Sequence, residues 1–210
     1  DKGLAGAYNH NIVKFAEGIL KNEKDSIVFV VGQLGALALQ KGGYAVDRRF
    51  AGTAQRPTVV RARQIAAELC DKFYRGELCE VDIIYTRMEE HGEEATPRLQ
   101  KLLPLSAEAF RPAAGKPQQP QQVTYLPDAG AVLGSIAPNY LTGYLFGALV
   151  EAFCSEENAR MLAMKSATDS AADMLRELSV IYNSVRQAAI TQQIVEVAGG
   201  AKAQKRKKTS

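Results

Sequence analysis

Met164-Lys165-Ser166-Ala167-Thr168-Asp169-Ser170-Ala171-Ala172-Asp173-Met174-Leu175-Arg176-Glu177-Leu178-Ser179-Val180-Ile181-Tyr182-Asn183-Ser184-Val185-Arg186-Gln187-Ala188 is the stretch that decides the fold. Within it Met164, Ala167, Ala171, Met174, Leu178, Ile181, Val185 and Ala188 follow one another at alternating steps of three and four. That spacing puts all eight side chains on one seam of an α-helix, the a/d pattern of a coiled coil. The helical pattern runs without proline from Tyr140 to Ala198, a length of about 90 Å at 1.5 Å rise per residue. A compact domain of the preceding residues has a radius of gyration near ~14 Å and is too small to cover such a rod. The seam is therefore expected to project and to need a partner helix. The competing reading is a helix bent at Gly143 or Gly147 and buried in its own domain.

Composition narrows the class. The chain has 210 residues, 46% of them hydrophobic, enough for one or two soluble domains. Its net charge of +3 is local, because Lys202, Lys205, Arg206, Lys207 and Lys208 crowd the last nine residues and leave the rest close to neutral. Such a run reads first as a solvated, disordered tail and second as a contact for nucleic acid or anionic lipid. Cys70, Cys79 and Cys154 have no paired spacing, which speaks against a disulfide framework or a zinc site. No run approaches the ~18 uncharged apolar residues of a membrane span. The abrupt start at Asp1, on a turn-like sequence, suggests a piece of a longer chain.

The expected architecture is α/β: a small Rossmann-like layered domain over 1–112, a Pro/Gln-rich linker and foot over 113–128, a long helix over 129–200 and a basic disordered tail over 201–210. In the first part, Asn9 or Asn11 is a cap candidate for a helix burying Ile12, Phe15, Ala16, Ile19 and Leu20. Ile27 to Val31 reads as a strand covered on both faces. Leu34 to Leu39 is a short helix ended by Gly42-Gly43, and Tyr44 to Val46 begins another strand. Pro57 opens a helix carried by Val60, Ile65, Ala66, Leu69 and Phe73 and stopped at Gly76. Val81 to Arg87 alternates as a strand, Val81, Ile83 and Tyr85 against Asp82, Ile84 and Thr86, with Pro97 to Leu105 returning beside it.

Catalytic chemistry finds little support. Gly3-Leu4-Ala5-Gly6 and Gly32-Gln33-Leu34-Gly35 complete neither a dinucleotide fingerprint nor a phosphate loop, and read as turns. His10 and His91 are the only histidines, and His91 lies in the charged run Glu89 to Glu94, a solvated hairpin tip. Glu156 and Glu157 are adjacent on a helix and point apart, so they do not form an acid pair. No catalytic, metal-binding or cofactor-binding residues are assigned.

The last third carries a resemblance. Asn158 to Ala171 and Ile181 to Glu196 resemble the F-type ATP synthase gamma subunit, whose closing signature is Ile-Thr, one residue, Glu, two residues, an acid, three residues and Gly-Ala. This chain has Ile190-Thr191, Gln193 in place of the usual Glu, then Glu196, Gly200 and Ala201. Asp1-Lys2-Gly3-Leu4-Ala5-Gly6 is similar to the turn Asp-Arg/Lys-Gly-Leu-x-Gly of that family.

The resemblance implies one half of an antiparallel coiled coil, the other half being an N-terminal helix that this sequence lacks together with a first strand. It implies a shaft in the cavity of an alpha/beta hexamer, with Arg186, Gln187, Thr191 and Gln193 meeting the catch loops and Ile190, Ile194 and Val197 forming an apolar tip in a hydrophobic sleeve. Tyr125 and Asp128 fall near the foot, which rests on the epsilon subunit and the membrane c-ring. The implied role is torque transmission between a proton-driven ring and the hexamer, without catalysis, cofactor or nucleic acid. The implied site is the cytoplasmic face of a bacterial inner membrane, or the equivalent face in an organelle, with membrane association indirect through the complex. The rival readings are a coiled-coil adaptor with a basic tail that binds nucleic acid or anionic lipid, and an α/β enzyme with a helical dimerisation arm.

Overall fold

The structure is a computed structural model and describes residues 3–23, 25–48, 50, 52, 56–88, 95–105, 126 and 128–207. The chain divides into two compact units, Asp1–Met161 and Leu162–Ser210, with the division inside the long helix. Residues 113–122, the charged run 89–94 and Asp1-Lys2 lie outside the described residues.

The first unit has the α/β layering that the sequence suggests. Helix α1 spans Tyr8–Leu20, strand β1 Val28–Phe29, helix α2 Gln33–Lys41, strand β2 Val46–Asp47, helix α3 Val59–Tyr74, strand β3 Val81–Met88 and strand β4 Ala95–Leu103; helix α4, Ala129–Lys207, begins here. β1 and β2 pair in parallel, Val28 beside Val46, with α2 as the crossover that parallel strands require. β3 and β4 form an antiparallel ribbon from Val81 opposite Leu103 to Met88 opposite Ala95.

The helix stops follow from backbone chemistry. At the end of α2, Gly43 takes φ +85°, its N–H reaches the Gln40 carbonyl and the Tyr44 N–H reaches that of Leu39. At the end of α3, Gly76 takes φ +73°, with Gly76 N–H to Phe73 and Glu77 N–H to Lys72. Both are Schellman closures, which satisfy carbonyls that would otherwise be orphaned and need a residue tolerant of positive φ. The Lys72–Glu77 ion pair, 2.8 Å, spans the second one.

Several local readings change. α1 starts at Tyr8 with Ala7 as cap, because the turn at Gly6, φ +55°, delivers the chain into the helix before either asparagine. The cap of α3 is Thr58, whose side chain accepts from the Arg61 N–H at 3.3 Å; Pro57 stands one residue outside. Phe15 and Val60, both expected inside, are exposed, and so is Ile27, which stands just before a strand only two residues long. Thr86, placed by alternation on the polar face of β3, is buried beside Tyr8 of α1, and its carbonyl accepts from Ser155 of α4.

The core of this unit joins α3, the ribbon and the first turns of α4. Ala62, Ile65, Ala66, Leu69 and Cys70 recur at helical spacing and meet Val81, Leu102, Leu103, Leu141 and Leu145. Around it lies a polar seam: the Tyr8 hydroxyl donates to the Ala152 carbonyl at 2.9 Å and the Ser155 hydroxyl to the Thr86 carbonyl at 3.4 Å. Burial pushes the Tyr8 phenol above its ordinary value, so it stays a neutral donor. Burial and the hydrogen bond with Tyr85 push the Tyr144 phenol up in the same way. Arg160 pairs with Glu156 and Glu157 at 2.7 and 2.6 Å and donates to the Gly3 carbonyl at 3.3 Å, fixing the turn before α1.

Asp128 caps α4, accepting from the Ala131 N–H at 2.9 Å. Pro138 lies inside the helix and removes one ladder donor; the Asn139 side chain reaches the Ser135 carbonyl and the Thr142 hydroxyl the Pro138 carbonyl nearby. α4 continues to Lys207, past residue 200 where the sequence reading ends it in a disordered tail. Alanine, lysine, arginine and glutamine are strong helix formers, and cations near a helix C-terminus meet its negative dipole end.

Candidate functional site: the exposed helix of the second unit

From Leu162 to Lys207 the second unit is α4 alone, about 70 Å at 1.5 Å per residue. Every residue from Met164 to Lys202 is exposed. The seam Met164, Ala167, Ala171, Met174, Leu178, Ile181, Val185 and Ala188 is thus uncovered along its length, with Leu178 61% and Val185 63% exposed. Covering one such large aliphatic side chain is worth about 1.5–3 kcal/mol, and a continuous apolar stripe of this kind marks an interaction surface. Ala167, Ala171 and Ala188 lower its profile and allow a second backbone to come close.

The seam is wider than the three-four count shows. Leu175 and Tyr182, exposed and four residues after Ala171 and Leu178, flank it on one side. The sequence held this signal, since i and i+4 share a face.

The residues assigned to the tip occupy a different face. At 100° per residue, Ile190, Ile194 and Val197 fall within an arc of roughly 60°, about 150° round the axis from the centre of Leu178, Ile181 and Val185. Arg186 and Gln193 border that arc on one side and Gln187 on the other, with Thr191 further round; all are exposed. Gln192, whose amide reaches the Glu196 carboxylate at 3.2 Å, engages the one charged side chain between Gln187 and Ala201. Sequence reasoning had not singled out this pair. Two apolar surfaces on nearly opposite sides of one helix fit two different occupants.

Asp128 acts within its own chain as the α4 cap, while Tyr125 lies outside the described residues. Among the described residues no group of histidine, cysteine or acidic side chains is arranged to hold a metal ion, and no helix is long and apolar enough to cross a membrane.

A layered α/β unit followed by a long helix with exposed apolar surfaces defines an interaction protein with its binding surface on one helix. Comparison with known proteins gives that class a family. A family model described as ATP synthase matches residues 1–204. An ATP synthase gamma chain of Caldanaerobacter subterraneus subsp. tengcongensis is 41% identical over 209 residues, covering 96% of this chain and 70% of that one. A sodium-ion-specific ATP synthase gamma chain of Acetobacterium woodii is 34% identical over 222 residues, covering 97% and 72%. The fold is shared with a chain of the central stalk/c-ring structure of the Tetrahymena thermophila mitochondrial ATP synthase, at a TM-score of 0.58 and 19% identity, over 80% of this chain and 72% of that one. The chain belongs to the ATP synthase gamma chain family and is a subunit of that enzyme complex.

Proposed function

We propose that this chain is the rotor of an ATP synthase central stalk, passing torque between an ion-driven membrane ring and a hexamer of alternating alpha and beta subunits. The observation that carries the reading is the pair of exposed apolar surfaces on α4, seam and tip, on nearly opposite sides of one helix in a gamma-chain sequence. The seam packs against a partner helix to make a stiff antiparallel coiled coil. The arc of Ile190, Ile194 and Val197 turns in an apolar sleeve, and Arg186, Gln187, Thr191 and Gln193 meet the loops that grip the shaft. Gln193 keeps hydrogen bonding at a position where the family usually carries a charge.

The physical basis of torque is differential binding. A ligand shifts a conformational equilibrium only by its differential affinity for the states. A shaft without three-fold symmetry presents a different face to each catalytic subunit at any angle, and every ~1.4 kcal/mol of difference changes a population tenfold. Turning the shaft therefore changes which beta subunit is open and which is tight. Linkage makes the coupling reciprocal, so ATP hydrolysis turns the shaft. The chain itself is non-catalytic in this account, and the chemistry belongs to the hexamer. Its foot, with Tyr125 and Asp128, rests on the epsilon subunit and the c-ring, which places it at the cytoplasmic face of a bacterial inner membrane or the equivalent organelle face.

The test is co-assembly with alpha and beta subunits. Leu178→Asp combined with Ile181→Asp is expected to abolish recovery of the complex, while Lys205→Gln through Lys208→Gln leaves it intact. Unchanged assembly of the double aspartate variant would overturn the reading.

A further inference from the structure

The exposed seam of α4 is complementary to itself. Its residues alternate in size as well as in step: Ala167, Ala171 and Ala188 are small, and the other five seam residues are large. Two copies run antiparallel about a two-fold axis level with Arg176 bring Ala171 against Ile181, Ala167 against Val185 and Ala188 against Met164. Met174 and Leu178 meet between them. A two-fold contact is isologous, so each of these pairs occurs twice. No alanine faces an alanine, and every seam residue has a seam partner.

Other alignments lose this fit. In a parallel pair each seam residue faces its own copy, so the three alanines stack on alanines while the large residues between them hold the backbones apart. The voids left are costly. An antiparallel pair slid by one heptad either way leaves two seam residues of each chain without a seam partner. Charge permits the match. Lys165, Asp169, Asp173, Arg176, Glu177 and Arg186 sum to zero between Met164 and Ala188, so two copies do not repel as wholes. Only Glu177 of these six borders the seam; it would lie near the Glu177 of the other copy beside the axis. On the opposite side Leu175, 68% exposed in the single chain, would meet its own copy.

We propose that this chain, when free of other subunits, pairs with a second copy of itself through the α4 seam, antiparallel and in this register. Self-pairing and the shaft compete for one face, since the seam holds one partner helix at a time. A self-paired chain is therefore withheld from the rotor until its two copies separate. Mass action sets the balance: at high dilution the chain is a monomer with its seam bare, and concentration drives it into pairs.

Sedimentation of the full chain tests this. A monomer is expected at high dilution and a dimer on concentration, with the Leu178→Asp, Ile181→Asp chain monomeric throughout. Glu177→Gln removes the like-charge pair and is expected to lower the dissociation constant roughly twofold, the size of one such exposed pair. Direction is read with thiols. In a Cys79→Ser, Cys154→Ser background, where the remaining Cys70 is buried, Ala171→Cys and Ile181→Cys are made in separate chains. In this register each new thiol lies about 15 Å along the axis from its own copy, too far for a disulfide, and level with that of the other variant. Oxidation is expected to link the two variants when mixed and neither alone. A concentrated chain that stays monomeric with α4 helical by circular dichroism would overturn the proposal. So would links formed by either variant alone, or association unmoved by Glu177→Gln. Co-assembly with alpha and beta subunits is a separate measurement, so failure here leaves the rotor reading standing.

Discussion

Leu141 and Leu178 belong to one continuous helix and live in opposite environments. Leu141 is 2% exposed in the core of the first unit; Leu178 is 61% exposed in the second. The first unit holds itself together by the usual means: an apolar helix face, a strand ribbon and a few buried hydroxyl contacts. The second unit is a helix whose large apolar side chains are exposed among the described residues. The same residue types serve a core and an interaction surface, and only position tells which is intended.

The comparison can be broken most sharply with one substitution made twice. Leu141→Ala is expected to cost the isolated chain about 2–5 kcal/mol in denaturant unfolding, the range for removing buried leucine side chains. Leu178→Ala is expected to fall within ~0.5 kcal/mol of the parent, as surface changes do. Similar costs at the two sites would mean that the seam is covered within the chain.

Glycine gives a contrast of sign. Gly76→Ala places a β-carbon on a residue at φ +73° and is expected to destabilise the first unit by about 1–2 kcal/mol. Gly199→Ala meets open space in a helix and is expected to stabilise the end of α4 by ~0.5–1 kcal/mol, visible as increased helical ellipticity. A loss at Gly199 would show that its backbone is not helical in solution.

A smaller, pH-dependent difference follows from the phenols. Tyr8 and Tyr144 are held above their ordinary value of 10.0 by burial. On raising the pH past that value the unfolded chain releases these protons first, so the folded state binds more protons and stability falls as pH rises. Below it the contribution is fully present. The first unit is expected to lose stability above pH ~10, and Tyr8→Phe with Tyr144→Phe to flatten that slope, while the helicity of a 162–207 peptide stays free of these two titrations. An unchanged slope in the double variant would remove these phenols as its source.

How much of this was legible depended on whether the signal was local. The seam was readable because coiled-coil spacing needs no knowledge of the rest of the chain, and Gly43 and Gly76 because positive φ at a helix end favours one residue type. The Ser155–Thr86 and Tyr8–Ala152 contacts join residues 69 and 144 positions apart, so no periodicity announces them. Thr86 was misplaced for that reason: alternation on β3 gives two faces but does not say that the polar one is also covered. Phe15 sits at the edge of the α1 face, and Val60 lies on the far side of α3 from Ala62, Ile65, Ala66 and Leu69, so helical position and not apolar character decides their exposure. At the tip, helical spacing alone described the end of an amphipathic helix; the resemblance from Ile190 to Ala201 is what proposes a role for it, and helical geometry adds that it lies on a different side from the seam.

Rotation is the most direct test of the central claim. Cys79 and Cys154 are exposed and Cys70 is buried, with burial pushing its thiol up, so Cys154→Ser leaves one accessible thiol on the first unit for a visible probe. With the labelled chain assembled into a surface-held alpha/beta hexamer, added ATP is expected to drive steady rotation of the probe in one direction, and the Leu178→Asp, Ile181→Asp chain to give no rotating complexes. ATP hydrolysis by the assembled hexamer with the probe stationary would contradict the account.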